Sequence, residues 1–122
     1  MQESNFTLLS TEWTLDLTNL LIISTKMNRS TQNFTGTSFH GDEFLATYND
    51  LVKHIGPPSS QGSGDGKVRY EWTMETEDGE VFTIYDWKEP FLDHDQYIYW
   101  HIGAQEPIVS RKALLELKAA FA

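Results

Sequence analysis

The sequence predicts an α+β fold in which an antiparallel sheet packs against a short helix and a C-terminal helix. Two segments of alternating apolar residues, 67–77 and 81–88, flank Asp78 and Gly79, a dipeptide typical of a tight β-hairpin turn. A third alternating segment, 97–102, follows after a loop and is expected to end at Gly103. Strands that follow one another without crossover helices form antiparallel sheets, so a doubly wound parallel fold is not expected.

A short amphipathic helix is predicted to begin after Thr47. Thr47 and Asp50 have the spacing of a capping box, in which the hydroxyl and the acid each accept a hydrogen bond from the other's backbone N–H. An apolar stripe follows at helical spacing: Tyr48, Leu51, Val52 and Ile55. Gly56 and two prolines end the helix, because glycine adopts the left-handed conformation readily and proline lacks an N–H.

A second helix is predicted from Pro107, since proline is well placed in the first turn of a helix. Its apolar stripe comprises Val109, Ala113, Leu114, Leu117 and Phe121. At the other end of the chain, the alternation of Trp13, Leu15 and Leu17 is interpreted as one or two strands. A helix from about Ser10 is the competing interpretation.

A chain of 122 residues has the length of one domain. We divide it into variable N-terminal strands at 1–35, a motif-bearing region at 36–103 and the C-terminal helix at 104–122. The absence of cysteine excludes disulfides and thiolate catalysis and favours a reducing compartment, so we expect a cytoplasmic protein. The most apolar run, residues 20–23, is too short for a membrane span or a signal peptide.

The charge balance argues against direct nucleic-acid binding. Nine Lys and Arg stand against eighteen Asp and Glu, a net charge of −9, whereas phosphate contacts require clustered cations. An acidic surface can instead imitate a phosphate backbone and occupy a groove on another protein, although acidity often serves solubility alone.

Motifs for catalysis and metal binding are missing from the sequence. The glycine-rich run at 62–67 lacks the residue order of a phosphate-binding P-loop, because Val68 stands where a Ser or Thr is needed. The histidines, at positions 40, 54, 94 and 101, lack the spacing of a zinc site. We therefore expect a binding protein that is not an enzyme and has no cofactor and no metal.

The hairpin turn also predicts a pairing of side chains. With Asp78 and Gly79 as a two-residue loop, the cross-strand pairs are Trp72 with Tyr85, Tyr70 with Trp87, Glu71 with Asp86, and Arg69 with Lys88. One face is then aromatic, and the other places two acids beside two bases. Facing carboxylates repel each other unless protons or cations are near, so this face is either a polar ligand site or an ordinary solvated surface.

Several short strings resemble a widespread group of small bacteriophage accessory proteins. They are Thr37-Ser38-Phe39-His40-Gly41, Ala46-Thr47-Tyr48-Asn49-Asp50-Leu51-Val52, Asp65-Gly66-Lys67, Glu71-Trp72, Val81-Phe82-Thr83-Ile84-Tyr85-Asp86-Trp87-Lys88 and Trp100-His101-Ile102-Gly103. The resemblance covers residues 36–103, except that Ala104 stands where the pattern has a second glycine. It implies a viral origin and, since such proteins often counteract host defence, a binding role in the host cytoplasm.

Two binding functions are compatible with this resemblance. The chain sequesters a nucleotide-type immune signal, such as a cyclic nucleotide or a cyclic ADP-ribose, or it blocks a defence protein such as a CRISPR nuclease. We favour sequestration, because the matching residues are aromatic, polar and cationic and fall on neighbouring strands. A homo-oligomer is also expected, because the strand edges lack the proline and lysine residues that block edge pairing.

The predicted site combines flat rings for a base with cations for phosphate. Its residues are Lys67, Arg69, Glu71, Trp72, Tyr85, Asp86, Trp87, Lys88, Trp100 and His101. A base is expected to stack on one of the three tryptophans, and phosphate to meet a lysine, the arginine or the histidine.

Overall fold

The computed structural model describes residues 27–90 and 93–122. The elements in chain order are β1 (Asn28–Arg29), β2 (Ser38–Ala46), α1 (Tyr48–Ile55), β3 (Glu71–Glu75), β4 (Val81–Tyr85), β5 (Ile98–Ala104) and α2 (Pro107–Ala120). The five strands form one sheet in the order β1-β3-β4-β5-β2, and each neighbouring pair is antiparallel. The α+β prediction is confirmed. The strands predicted around Trp13 lie outside the described residues.

The core lies between the two helices and one face of the sheet, here called the inner face. The sheet contributes Phe44, Trp72, Met74, Phe82, Ile84, Trp100 and Ile102, all buried. Leu51 of α1 and Val109, Ala113 and Leu117 of α2 belong to the same cluster. The opposite, outer face carries the alternate residues of each strand, because successive side chains in a strand point to opposite sides.

The first helix begins and ends as its local signals predict, and the second begins at the predicted Pro107. The Asp50 N–H donates to Thr47 Oγ1 at 2.9 Å, and the Thr47 N–H donates to the Asp50 carboxylate, which completes the capping box. Gly56 ends α1 with a φ of 89°. The second helix begins at Pro107, and most of its predicted stripe is buried, with Leu114 and Phe121 partly so.

The predicted register of the hairpin between β3 and β4 is wrong by one residue. The Thr76 N–H donates to the Glu80 carbonyl at 2.9 Å, and the Gly79 N–H donates to the Thr76 carbonyl at 2.8 Å. The loop therefore has three residues, 77–79, in which Gly79 takes the left-handed position with a φ of 83°. The turn signal was correct, but the loop is one residue longer than the tightest hairpin.

This slip changes every predicted pair, because a shift of one residue moves side chains to the other face. Glu71 pairs with Tyr85, and Trp72 pairs with Ile84. Trp72 thus lies on the inner face and Tyr85 on the outer face, so the predicted aromatic face does not form. Glu71 and Asp86 are not cross-strand neighbours either, because Asp86 follows Tyr85 and lies beside Trp100 on the inner side.

Strand β2, with nine residues the longest strand in the described part of the chain, was not predicted. Its pairing with β5 shifts between Phe39 and Glu43, which marks a bulge around Gly41, whose φ is 100°. The bulge turns Asp42 into the interior, where its carboxylate accepts hydrogen bonds from Ser110 Oγ at 2.8 Å and Arg111 Nε at 3.1 Å. A buried acid and a bulge break the alternation by which a strand is recognised from sequence.

Candidate functional site

A groove of about 340 Å³ opens on the outer face of the sheet. Strands β3, β4 and β5 contribute Glu71, Thr83, Tyr85 and Gly103, and residues 34–38 and Trp87 complete the lining together with Val68. Because β4 and β5 are interior strands of the sheet, the groove lies over its centre rather than at an edge.

Gly103 keeps the groove open. A Cβ atom at this position would lie 2.6 Å from Thr83 Oγ1 and 3.3 Å from Tyr85 Cε1. Any side chain at 103 would therefore collide with Thr83 and fill the space between the two strands. The glycine was expected only to end the third strand, yet β5 continues through it to Ala104.

The segment before β2 is held in place by its own hydrogen bonds. Asn33 Oδ1 accepts the Thr35 N–H at 2.8 Å, and the Phe34 carbonyl accepts the Thr37 N–H at 3.1 Å. Gln105 Nε2 donates to the Thr35 carbonyl at 3.1 Å, which ties this segment to the end of β5. The groove is thus bounded by a hydrogen-bonded turn as well as by the sheet.

Glu71 supplies a half-buried carboxyl group to the groove. Burial raises its pKa, because the charged form loses water, and a hydrogen bond with the Ser60 hydroxyl acts in the opposite direction. The pKa of its cross-strand neighbour Tyr85 is raised by burial and, to a lesser extent, by the charge of Glu71. Burial thus disfavours the charged form of both side chains, the carboxylate and the phenolate.

His101 stands beside the groove in a cluster of rings. Its imidazole stacks on Phe39 with centroids 3.9 Å apart, meets Tyr85 edge-on at 5.4 Å and lies nearly parallel to Trp87 at 6.4 Å. His101 Nε2 lies 3.3 Å from a carboxylate oxygen of Glu43. Burial lowers the pKa of His101, whereas Glu43 and Glu89 act to raise it.

We expect an NMR titration to give His101 a pKa below the ordinary 6.5. Removing the nearby charge by Glu43→Gln should lower the pKa of His101 further, whereas Glu106→Gln, a distant control, should not change it. Because the pKa in the folded state is depressed, His101 lowers stability as pH falls from 6.5 through its folded-state pKa. A pKa of His101 that rises in Glu43→Gln would contradict the geometry.

Two of the predicted cationic residues, Lys67 and Lys88, are backbone neighbours, and Lys88 lies against Trp87, which lines the groove. The Lys88 N–H donates to the Lys67 carbonyl at 2.7 Å, so the two residues are adjacent. Lys88 Nζ lies 5.5 Å from the Trp87 ring centroid, a cation–π contact, and Lys88 has a left-handed φ of 56°. Arg69, another of the cations proposed to meet phosphate, instead lines a cavity on the inner side together with Asp86.

Three residues of the predicted site are structural. Trp72 and Trp100 are 0% and 2% exposed, and their indole Nε1 atoms donate to the carbonyls of Gly56 at 2.9 Å and Ala46 at 3.0 Å. No ligand base can stack on either ring, so this part of the prediction is wrong. Asp86 is buried and accepts the backbone N–H groups of residues 69 and 70, each at 2.8 Å.

The inner cavity that Arg69 lines is small, about 40 Å³, far below the size of ordinary ligand pockets. At its margin the ring of His94 lies 4.0 Å from that of Tyr48, and the Tyr70 hydroxyl lies 3.2 Å from His94 Nε2. These contacts attach the loop before β5 to α1. We assign the cavity to packing.

No protein-family model, curated protein or solved structure matches this chain. Across residues 27–90 and 93–122, His, Asp and Glu side chains do not gather in groups of three or more that would hold a metal ion. Neither of the two described helices has the length and apolar character needed to cross a membrane.

Proposed function

We propose that the chain binds a nucleotide-type ligand in the outer groove. As its resemblance to small phage proteins implies, it would sequester a host immune signal of that class without converting it. One observation carries the proposal: the groove is lined by an exposed indole and a half-buried carboxyl group, and Lys88 lies against that indole. An indole stacks on a base, a carboxylate accepts base N–H groups, and a lysine meets phosphate.

The strings that carry the phage resemblance supply most of the groove. Seven of the eleven lining residues belong to them: Thr37, Ser38, Glu71, Thr83, Tyr85, Trp87 and Gly103. These residues come from separate parts of the chain, and several have no role in the core. A shared ligand site would explain why those strings recur together, which favours the groove over the acidic surface as the functional feature.

The size of the groove limits what one chain can hold. A volume of about 340 Å³ lies at the low end of the range for small-molecule pockets, so it suits one base with its sugar. A cyclic dinucleotide has two such halves. Two chains would then hold one ligand, in agreement with the expected homo-oligomer. Because the net charge of the chain is negative, the phosphates would have to lie near Lys88.

Thermal unfolding with cyclic dinucleotides and cyclic ADP-ribose isomers tests this proposal. A bound ligand at a hundred times its Kd should stabilise the fold by roughly 2.7 kcal/mol. Trp87→Ala should weaken binding about 5- to 150-fold, since a stacked base contributes about 1–3 kcal/mol. Tyr97→Ala is the matched control, because Tyr97 is exposed and lies outside the groove. Absence of any midpoint shift across the panel would refute nucleotide binding.

The alternative function, a direct block of a host defence protein such as a CRISPR nuclease, has an observation of its own. Leu45 and Tyr99 pair on the outer face and are 49% and 55% exposed, and Glu43 lies next along β2. Exposed tyrosine is enriched in protein interfaces, and a neighbouring acid would complement a basic partner surface. If no nucleotide binds, inhibition of a purified nuclease that is lost in Tyr99→Ser would favour this function.

A further inference from the structure

We infer that the groove selects guanine over adenine, and this inference rests on the proposed nucleotide function. The observation behind it is the position of Glu71 among the lining residues, next to Tyr85 and on the same outer face as Thr83. A carboxylate directed into a base site reads the edge of the base, whereas the indole reads only its flat face.

The hydrogen-bonding capacity of a carboxylate distinguishes the two purines. An ionised carboxylate accepts hydrogen bonds and donates none. The Watson–Crick edge of guanine offers two adjacent donors, the ring N1–H and the exocyclic amine, one for each carboxylate oxygen. The same edge of adenine offers one amine beside an unprotonated ring nitrogen, whose lone pair would face the second oxygen. With adenine, one carboxylate oxygen would therefore face the lone pair of the ring nitrogen, two acceptors without a hydrogen between them. Burying such a pair without water lowers the affinity.

The surroundings of Glu71 favour a ligand with donors. Its pKa shifts upward because burial outweighs the hydrogen bond with Ser60, so the carboxylate receives less stabilisation in the protein than in water. A pair of ligand N–H groups would replace the lost water. Tyr85, which is partly exposed, lines the same groove, and a phenol hydroxyl can donate to a carbonyl such as the guanine O6.

The arrangement also gives the ligand a direction. In this orientation the Watson–Crick edge of the base lies at Glu71 and the flat face of the base lies against Trp87. The sugar and phosphate then point away from Glu71. Lys88 Nζ lies 5.5 Å from the Trp87 ring centroid, so a positive charge is available beside Trp87, away from Glu71. The acidic and basic groups of the groove would thus contact opposite ends of one nucleotide.

Cyclic di-GMP and cyclic di-AMP form a matched pair for the test, because they have the same backbone and charge and differ only in the base. Calorimetry on the full chain near neutral pH should show cyclic di-GMP binding roughly 5- to 150-fold more tightly, the discrimination expected of one bidentate contact. Glu71→Gln should remove most of this preference, because a glutamine amide both donates and accepts and therefore pairs with either purine.

Glu75→Gln is the control, since Glu75 lies on the same strand and face but outside the groove, where it accepts a hydrogen bond from Gln32. It should keep the parent's preference. Equal binding of the two cyclic dinucleotides, or a guanine preference that survives Glu71→Gln, overturns the guanine inference and leaves nucleotide binding in place. Failure of every nucleotide to bind overturns the proposed function and this inference together.

Discussion

Replacing Trp72 by alanine is expected to lower the free energy of unfolding by about 3–5 kcal/mol, the usual range for a large aromatic residue lost from a core. The side chain is fully buried, meets Trp100 edge-on at 5.5 Å and donates to the Gly56 carbonyl at the end of α1. Its removal would leave a cavity between the sheet and both helices and would also leave that carbonyl without its indole donor.

Urea denaturation of Trp72→Ala beside Trp87→Ala makes the test specific. Trp87 is 40% exposed, so its removal should cost about 1 kcal/mol or less, in line with other surface substitutions. The two variants delete the same side chain, and only their positions differ. Equal losses of stability in the two proteins would contradict the assignment of Trp72 to the core and Trp87 to the outer groove.

The helices were predictable from sequence because their signals are local. A capping box and a helix-ending glycine act over one turn of chain, so the spacing of Thr47, Asp50 and Gly56 was sufficient for α1. Proline at the start of α2 has the same local character. Such signals do not depend on which distant residues pack against the helix.

The hairpin register was not predictable from its turn alone. Gly79 satisfies both a two-residue and a three-residue loop, and only packing decides between them. The pattern of each strand contained the answer, because Trp72 and Met74 on β3 and Phe82 and Ile84 on β4 are the more apolar sets, and these sets face each other. Pairing the apolar sets first, and then accepting the loop length that follows, gives the observed register.

The candidate site was predictable only in part. Of the predicted residues, Glu71, Tyr85 and Trp87 line one groove, and Lys88 lies against Trp87. Whether an aromatic residue in a small sheet faces the core depends on the register, and this error placed Trp72 in the site. The groove is open because Gly103 has no side chain, and a single glycine in a strand does not indicate a ligand site from sequence.

Asp86→Ala is expected to cost about 2–4 kcal/mol of stability, even though Asp86 is buried outside the apolar core. Its carboxylate oxygen accepts the N–H groups of Arg69 and Tyr70, each at 2.8 Å. Alanine would remove the carboxylate that accepts both N–H groups, and the loss of a buried donor's acceptor costs about 1–3 kcal/mol. Because Arg69 and Tyr70 are partly exposed, water can replace some of the lost hydrogen bonding, and the expected loss of stability is less than twice the cost of one fully buried donor.

Asp86→Asn tests whether Asp86 stabilises the fold by accepting these two hydrogen bonds or by its negative charge. The amide oxygen of asparagine can accept the same two hydrogen bonds, so the loss should be about 1 kcal/mol, the difference between charged and neutral acceptors. Urea denaturation of both variants measures these losses. If the asparagine variant is as unstable as the alanine variant, the negative charge of Asp86 matters more than its hydrogen bonds. The predicted order would support Asp86 as the residue that holds the segment before β3 in place, and with it Lys67 beside Lys88 at the groove.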